Sequence, residues 1–333
     1  MRIGIVGAGS MGTVHAEGWS ATDAELVAIC AEPGVAPTDL AARHGARACA
    51  SLEELLELVD VVDVCAPTDL HHDLALAAAA AGRHVICEKP LARTSAQARA
   101  MITACREAGV QLHVGHVVRF FPEYALAKRT VDRGAIGTPA VLRFTRASYA
   151  PKGRDDDWFS DPARSGGLLL DLMIHDLDQA RWLAGPVTRV MARSRAALRP
   201  GSGPDHCLAV LTHEQGAITH IEASWAYPAP VFRTRFEVAG TTGVLDHDSD
   251  RDAPVRTIMA LTDDPADVPV PGSPMAESPY TAELRHFLAV LRGQAEPVVR
   301  AEDGLAALLV AEAAERSLIT GDVETVAALE VPA

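Results

Sequence analysis

The sequence predicts an α/β protein with an N-terminal doubly wound parallel sheet of the Rossmann type and a C-terminal α+β domain built on an open, mostly antiparallel mixed sheet. Two observations predict this fold class. Five short β-branched runs alternate with helical segments in the first third of the chain, which implies right-handed βαβ crossovers. After about residue 118, longer strand patterns follow without a helix between each.

The alternation in the first third defines the elements of the parallel domain. The predicted strands cover residues 3–6, 26–30, 61–66, 84–87 and 112–114, and the predicted helices cover residues 11–20, 38–44, 52–58, 71–81 and 95–108. We therefore assign residues 1–118 to a nucleotide-binding Rossmann domain.

Residues 119–333 are predicted to form a second α/β domain. The sequence His-Glu-Gln-Gly at 213–216 is a plausible hairpin turn between two of its strands. The predicted strands cover residues 141–148, 187–194, 208–212, 218–226 and 233–239, and the predicted helices cover residues 168–183, 281–291 and 301–320.

Composition excludes several classes of function. The net charge of −14 opposes binding to nucleic acid or to an anionic membrane, because both need a cationic surface. No apolar run approaches the roughly 20 residues that cross a bilayer, and the first residues do not resemble a signal peptide. The six cysteines form no C-x-x-C pair, as expected for reduced, buried thiols. We expect a cytoplasmic protein.

The first strand leads directly into a G-x-G-x-x-G motif. Its first glycine permits a tight turn, its second lets the backbone approach a pyrophosphate, and its third lets helix and strand pack closely. A diphosphate would then bind the exposed N–H groups at the start of the following helix. The predicted cofactor-binding residues here are Gly7, Gly9, Ser10, Met11 and Gly12.

An acidic residue after the second strand favours NAD as the cofactor. Glu32 lies close to the position where a carboxylate accepts hydrogen bonds from the adenosine ribose, and it would repel the 2′-phosphate of NADP. No Lys or Arg follows within a few residues to bind such a phosphate. NADP is not excluded, since Glu32 in a solvated loop is the alternative interpretation.

The end of the fifth predicted strand carries a lysine in the sequence Cys-Glu-Lys-Pro. The carboxyl ends of strands face the ligand crevice in a doubly wound sheet. Lys89 could therefore donate a hydrogen bond to the reacting oxygen of a substrate or relay a proton. A solvated loop lysine is the alternative.

A second candidate site lies on the predicted helix that follows Gly166 and Gly167. Asp171 and His175 are four residues apart and so share one face of that helix. A histidine beside a carboxylate can take the proton of an alcohol whose carbon loses hydride. A buried histidine in a structural ion pair is the alternative. We predict no metal site, because no further His/Cys cluster completes a coordination shell.

These three motifs together resemble those of the Gfo/Idh/MocA oxidoreductases, and the resemblance covers nearly the whole chain. It implies that Lys89, Asp171 and His175 match the catalytic lysine, aspartate and histidine of that family. It also implies a histidine acid/base on the hydroxyl that becomes a ketone. It further implies that residues 119–333 form a substrate-binding and oligomerisation domain, in a homodimer or homotetramer.

The resemblance extends to the cofactor site. Residues 67–71 are similar to the P-x-x-x-H loop near the nicotinamide, so the resemblance implies cofactor contacts from Pro67, Thr68, His71, Glu88 and Lys89. One departure concerns the ribose: Ala31 stands where many members carry Asp, which leaves Glu32 as a displaced candidate for the ribose contact.

Two further residues are weaker candidates for substrate contact. Arg119 belongs to a segment that resembles the family's connection into the second domain. Trp158 lies in a loop before the Gly166 helix, where an aromatic ring could face sugar C–H groups, although a packing anchor is the alternative.

The combined hypothesis is reversible hydride transfer between nicotinamide and a secondary alcohol of a sugar, cyclitol or related polyol. Two alternatives remain at this point. One is a glycosidase that uses NAD in a redox-neutral cycle, and the other is a non-catalytic sensor or regulatory protein that binds NAD(H). The retained Lys89, Asp171 and His175 argue against the sensor.

Overall fold

The computed structural model describes residues 1–31, 37–151, 158–195, 205–250 and 277–330. The chain divides into two compact units. The first combines Met1–Phe121 with Gly272–Leu305 and the terminal Glu330–Ala333, and the second combines Pro122–Pro271 with Ala306–Leu329. The sequence predicted one boundary, between residues 118 and 119. In the structure, the later helix at residues 279–291 also belongs to the first unit, because it packs against the sheet of that unit.

The first unit contains a parallel sheet with the strand order β3-β2-β1-β4-β5-β6. This is the order of a dinucleotide-binding Rossmann sheet, and it confirms the first half of the predicted fold class. Its strands are β1 (Arg2–Val6), β2 (Glu25–Cys30), β3 (Arg47–Ala48), β4 (Val61–Val64), β5 (His84–Glu88) and β6 (Leu112–Gly115).

Helices pack against this sheet through apolar side chains. Ile3 and Ile5 of β1 are fully buried with Trp19, Leu284 and Phe287 in one hydrophobic cluster. This cluster is why the helix 279–291 belongs to the first unit. The helices of the unit are α1 (Ser10–Ser20), α2 (Thr38–Arg43), α3 (Leu52–Leu56), α4 (His71–Ala80), α5 (Ser95–Glu107) and α9 (Pro279–Leu291).

The second unit contains a seven-stranded sheet with the order β12-β11-β7-β10-β9-β8-β13. Every neighbouring pair is antiparallel except β7 with β10, which is parallel. The predicted open, mostly antiparallel mixed sheet is therefore confirmed. Its strands are β7 (Pro139–Ser148), β8 (Val187–Arg195), β9 (His206–His213), β10 (Ile218–Ser224), β11 (Phe232–Gly240), β12 (Val244–Asp248) and β13 (Glu324–Thr325).

Local signals in this unit agree with the structure. The predicted hairpin joins β9 to β10, where the His213 N–H donates to the Ala217 carbonyl at 2.9 Å and Gly216 adopts φ +87°. The remaining helices are α6 (Pro122–Asp132), α7 (Pro162–Ser165), α8 (Ile174–Ala184) and α10 (Ala301–Thr320). Helix α8 packs on β7 and β10, so that Leu142, Phe144 and Ile221 are buried.

Two general expectations concern the whole chain. All six cysteines are free thiols, five of them buried and Cys65 partly exposed, which confirms the absence of disulfides. Among the described residues, no helix combines the length and the hydropathy that crossing a membrane requires.

Candidate active site

The turn between β1 and α1 can be built only with glycine at two positions. Gly7 has φ +115°, and a Cβ there would lie 2.5 Å from the Cys65 carbonyl oxygen. A Cβ on Gly12 would lie 1.9 Å from the Gly7 carbonyl oxygen. Both contacts are impossible for a real side chain, so the glycines let the loop fold tightly between β1 and the start of α1.

The middle glycine of the motif faces open space. A Cβ on Gly9 would meet no atom within 4 Å, and Gly9 is exposed at the start of α1. No side chain caps this helix, and its first turn carries no acidic residue. Ser10 and Met11 are half-buried there. The loop therefore offers uncapped N–H groups and room for an anion, as the diphosphate of a dinucleotide requires.

Strands β1, β4 and β5 are parallel, so they end at the same edge of the sheet. The segments that follow β4 and β5 therefore begin at the same edge as this glycine loop. Pro67 and Thr68 follow β4, and Lys89 follows β5 with its side chain half-buried. His71 links the two segments. Its ring nitrogens lie 2.8 Å from the Ala66 carbonyl oxygen and 2.9 Å from that of Pro90.

His71 thus has a structural role at the predicted nicotinamide loop. Its side chain is 1% exposed, and burial lowers the pKa of the imidazole, against the opposing effect of the two carbonyl groups. A neutral ring carries one N–H, so it donates to one of these two carbonyl groups at a time. A direct contact between His71 and cofactor stays a prediction.

The Glu88 carboxylate points into the protein interior. One oxygen, Oε2, accepts the backbone N–H of Lys89 at 2.9 Å, and the other lies 3.1 Å from Nε2 of His15. Burial acts to raise the pKa of Glu88, but the hydrogen bond and charge of His15, with Lys89, lower it below its usual value. The side chain is therefore occupied internally, and its predicted cofactor contact stays a prediction.

His15 is the main residue of this region that the sequence did not reveal. Its Nδ1 lies 2.9 Å from Oδ2 of Asp63, whose same oxygen accepts the Trp19 indole N–H at 2.7 Å. Burial opposes charging of the ring, yet the pKa of His15 is raised well above its usual value by Asp63 and Cys65. One sequence signal existed: Asp63 interrupts an otherwise apolar buried strand, and a buried carboxylate needs a partner.

Three side chains of this region also meet the geometric condition for a metal site. Candidate ligand atoms of His15, Asp63 and Cys65 all lie within 4.8 Å of one another. The sequence analysis did not foresee this cluster. However, both ring nitrogens of His15 are already within hydrogen-bond distance of carboxylates, so the imidazole has no lone pair directed at an ion.

In the second unit, Asp171 and His175 stand out by their accessibility. The chain enters this segment through Gly166 and Gly167, at φ +81° and +62°. A π-helical turn at Leu169–Met173 then precedes α8, where the sequence predicted a uniform helix. From residue 168 to residue 180, only Asp171 and His175 are partly exposed and all others are buried. Turns of this kind occur frequently at functional sites.

A buried ion pair anchors α8 next to His175. The Arg146 guanidinium donates two hydrogen bonds to Asp176, at 3.0 and 2.8 Å, and a longer one of 3.4 Å to the Tyr124 hydroxyl oxygen. Arg146 is 2% exposed and Asp176 is 1% exposed. Although burial opposes it, the Asp176 charge raises the pKa of Arg146 further. The pair fixes the first turn of α8.

The remaining predicted residues have varied surroundings. The Arg119 guanidinium is buried in the first unit, where it donates to the Val298 carbonyl at 2.9 Å and to Asp303 at 3.1 Å. Trp158 is half-buried and stacks on Phe159 with ring centroids 3.9 Å apart. Neither placement supports a substrate contact, and both contacts stay predictions. Glu32 lies outside the described residues.

Known family models match most of the chain. Residues 1–116 match an oxidoreductase family model for an NAD-binding Rossmann fold, and residues 124–246 match a GFO/IDH/MocA C-terminal domain. Myo-inositol 2-dehydrogenase of Thermotoga maritima is 34% identical over 96% of this chain and 96% of its own.

Solved structures agree with these matches. GenD2 from gentamicin A biosynthesis, in complex with NAD, is 30% identical, with a TM-score of 0.86 over 98% of this chain and 97% of that one. Levoglucosan dehydrogenase in complex with NADH and L-sorbose is 25% identical, with a TM-score of 0.84 over 98% and 99%. With the glycine loop and the strand order described above, these matches show that the chain belongs to the Gfo/Idh/MocA family of NAD-binding oxidoreductases.

Proposed function

We propose that this protein oxidises a secondary alcohol of a sugar, cyclitol or related polyol to the ketone, reversibly, with NAD as the hydride acceptor. The observation that carries the proposal is the accessibility of Asp171 and His175 on an otherwise buried helical segment. Selective exposure of an acid and a histidine is unusual inside a hydrophobic helix and is typical of a site that must reach a ligand.

The roles of the three residues follow from their chemistry. His175 would take the hydroxyl proton as the carbon loses hydride, because imidazole is a suitable base near neutral pH. Lys89 would donate a hydrogen bond to the reacting oxygen and stabilise its developing negative charge. Asp171 would orient substrate and imidazole. Bound NAD supplies the electron-pair acceptor, and the chain supplies position and electrostatics.

The class of substrate is supported by what the relatives are named for. The Thermotoga relative is named for myo-inositol, and a structural neighbour was solved with L-sorbose and is named for levoglucosan. All three are compact polyhydroxylated molecules with secondary alcohols. We therefore expect the substrate of this chain in the same class.

We propose NAD rather than NADP as the working cofactor. The support is the carboxylate of Glu32 at the predicted ribose position and the lack of a cation in the next few residues. Exchange of Glu32 for Ala should lower the preference for NAD⁺, measured as the ratio of kcat/KM with NAD⁺ and with NADP⁺.

We further propose that the protein is a homodimer or homotetramer that associates through the open face of its second sheet. Leu208, Val210 and Ile218 project from β9 and β10 with exposed fractions of 45%, 42% and 48%, and Met191 of β8 pairs with Val210. Partly apolar patches on a sheet are typical of protein interfaces. A homo-oligomer would bury this surface against a second copy. The expected compartment is the cytoplasm.

The experiment that tests this function is nicotinamide reduction by the purified protein across a panel of cyclitols, aldoses and sugar acids, with NAD⁺ and with NADP⁺. The proposal expects saturable reduction of NAD⁺ with at least one member, myo-inositol included. Cleavage of glycosides without net NADH would instead indicate a redox-neutral glycosidase. Tight cofactor binding without turnover of any alcohol or glycoside would contradict both.

A further inference from the structure

Four side chains form a continuous hydrogen-bonded chain beneath Lys89 in the first unit. Trp19 donates to Asp63 at 2.7 Å, and Asp63 lies 2.9 Å from Nδ1 of His15. Nε2 of His15 lies 3.1 Å from Glu88, whose other oxygen accepts the Lys89 N–H at 2.9 Å. The three central side chains, Asp63, His15 and Glu88, are 0%, 0% and 4% exposed.

The chain connects three elements that the proposed reaction needs in fixed relation. His15 lies on α1, whose first turn forms the diphosphate site, Asp63 lies in β4, and Glu88 ends β5 directly before Lys89. On the other side of the lysine, Pro90 is held by His71. Lys89 therefore stands between Glu88, whose carboxylate accepts its N–H, and Pro90, whose carbonyl oxygen lies within hydrogen-bond distance of His71.

We infer that His15 is a positioning residue for Lys89: it bridges Asp63 and Glu88, and so fixes the Lys89 backbone relative to the cofactor helix α1. The inference rests on the proposed role of Lys89. It assigns His15, Asp63 and the Glu88 carboxylate to the reaction without a direct contact with substrate.

The bridge requires a doubly protonated ring. A neutral imidazole donates from one nitrogen only, whereas each nitrogen of His15 faces a carboxylate oxygen. The charge of Asp63 raises the pKa of His15, and His15 in turn lowers the pKa of Glu88, as expected for an imidazolium between two carboxylates. The triad then carries one net negative charge, and the two carboxylates accept further hydrogen bonds from the Trp19 indole N–H and the Lys89 backbone N–H.

A fourth buried group near the triad provides a matched control. Glu283 of α9 is 0% exposed, and neither of its carboxyl oxygens has a hydrogen-bond partner. Burial, together with the charges of Glu88 and Asp63, raises the pKa of Glu283 well above its usual value, which favours the neutral acid. Glu88→Gln and Glu283→Gln are therefore the same substitution at a charged and at a neutral buried carboxyl.

The first test is backbone hydrogen exchange of the NAD-free protein, followed by mass spectrometry of peptides that cover residues 87–93. In His15→Gln and Glu88→Gln we expect exchange at Lys89 to accelerate about tenfold or more, with peptides of β6 unchanged, because the ionic bridge that holds the Glu88 side chain beside the Lys89 N–H is lost. In Glu283→Gln the exchange should match that of the unsubstituted protein. Unchanged exchange in both His15→Gln and Glu88→Gln would overturn the inference.

The second test separates this inference from the proposed function. His15→Gln should lower kcat for the best alcohol of the panel about tenfold or more, with the Kd of NADH changed less than about threefold, because the displaced group is Lys89. Lys89→Ala is measured beside it. If Lys89→Ala retains full turnover, the proposed function of Lys89 fails. If only Lys89→Ala loses turnover, the positioning inference alone fails.

A third measurement needs no substitution that could prevent folding. Nitrogen NMR of protein labelled with 15N-histidine reports the protonation of each ring nitrogen. We expect both nitrogens of His15 to be protonated at pH 7 and to remain so above the usual histidine pKa of about 6.5. A neutral His15 at pH 7 would break the bridge and overturn the inference.

Discussion

Arg146 and Asp176 form an ion pair in the interior of the second unit, with Nε donating to Oδ2 at 3.0 Å and Nη2 to Oδ1 at 2.8 Å. Asp176 directly follows His175 in the chain. The pair therefore ties the residue next to the proposed base to strand β7.

Exchange of Asp176 for Asn should destabilise the protein strongly. The substitution leaves the Arg146 charge buried without its counterion, which typically costs about 3–5 kcal/mol of the free energy of unfolding. Urea denaturation of the purified variant measures this loss.

The matched control is the ion pair of Arg143 with Glu237 on the same sheet, whose side chains are 54% and 26% exposed. Because solvent screens this pair, Glu237→Gln should change the free energy of unfolding by less than about 1 kcal/mol. Similar small losses in both variants would show that the buried pair does not anchor α8.

The buried carboxyl of Glu283 predicts an unusual pH dependence of stability. Burial and Glu88 raise the pKa of this carboxyl in the folded protein. The folded protein therefore keeps the carboxyl protonated at pH values where the unfolded chain, in which the pKa of Glu is about 4.3, has released the proton. The contribution of this carboxyl to the free energy of unfolding is complete below about pH 4.3 and is lost as the pH rises toward the pKa of the folded state. The loss is about 1.4 kcal/mol per pH unit for one proton.

Glu283→Gln removes this dependence, because the amide cannot ionise. We expect the Tm of the variant to exceed that of the parent at pH 8 and the difference to shrink toward pH 4.5. A constant difference across that interval would mean that Glu283 is ionised in the folded protein.

The sequence predicted the Rossmann strands, the hairpin at Gly216 and the helix of His175, because each has a local pattern of apolar periodicity or turn residues. It missed the His15 bridge for a physical reason. His15 lies 48 residues from Asp63 and 73 residues from Glu88, and only the packing of α1 on the sheet brings them together.

Smaller differences have the same origin. The π-helical turn at Leu169–Met173 carries the same residues as an ordinary helix, and tertiary packing selects it. Strands β3 and β13 comprise two residues each, too few to show a period. The interior direction of the Glu88 carboxylate likewise depends on His15, which no local pattern connects to it.

Gly9→Ala should separate cofactor binding from folding. Gly9 has φ −81°, which alanine tolerates, and its added methyl group would meet no protein atom within 4 Å. The Tm should therefore change by no more than about 2 °C, while the methyl group blocks the approach of the diphosphate and weakens NADH binding about tenfold or more. Calorimetric titration with NADH measures the affinity, and unchanged affinity would place the diphosphate elsewhere.

Val210→Glu tests the proposed association through the open sheet face. A charge in the centre of an apolar interface should dissociate the oligomer at micromolar protein, as measured by sedimentation velocity. Ile319→Glu is the control, since Ile319 is 85% exposed and lies on α10 rather than on a strand of the sheet. Equal oligomeric states for both variants and the parent would contradict an interface at Val210.

The most direct test of the central claim compares His175→Ala and Lys89→Ala with the parent protein in nicotinamide reduction, using the best alcohol of the panel. Loss of a general base lowers the rate by about 10²–10⁴-fold. The account predicts a loss of kcat/KM in that range for His175→Ala and a large loss for Lys89→Ala, with NADH affinity retained in His175→Ala. Full turnover in either variant would contradict the assignment of that residue to catalysis.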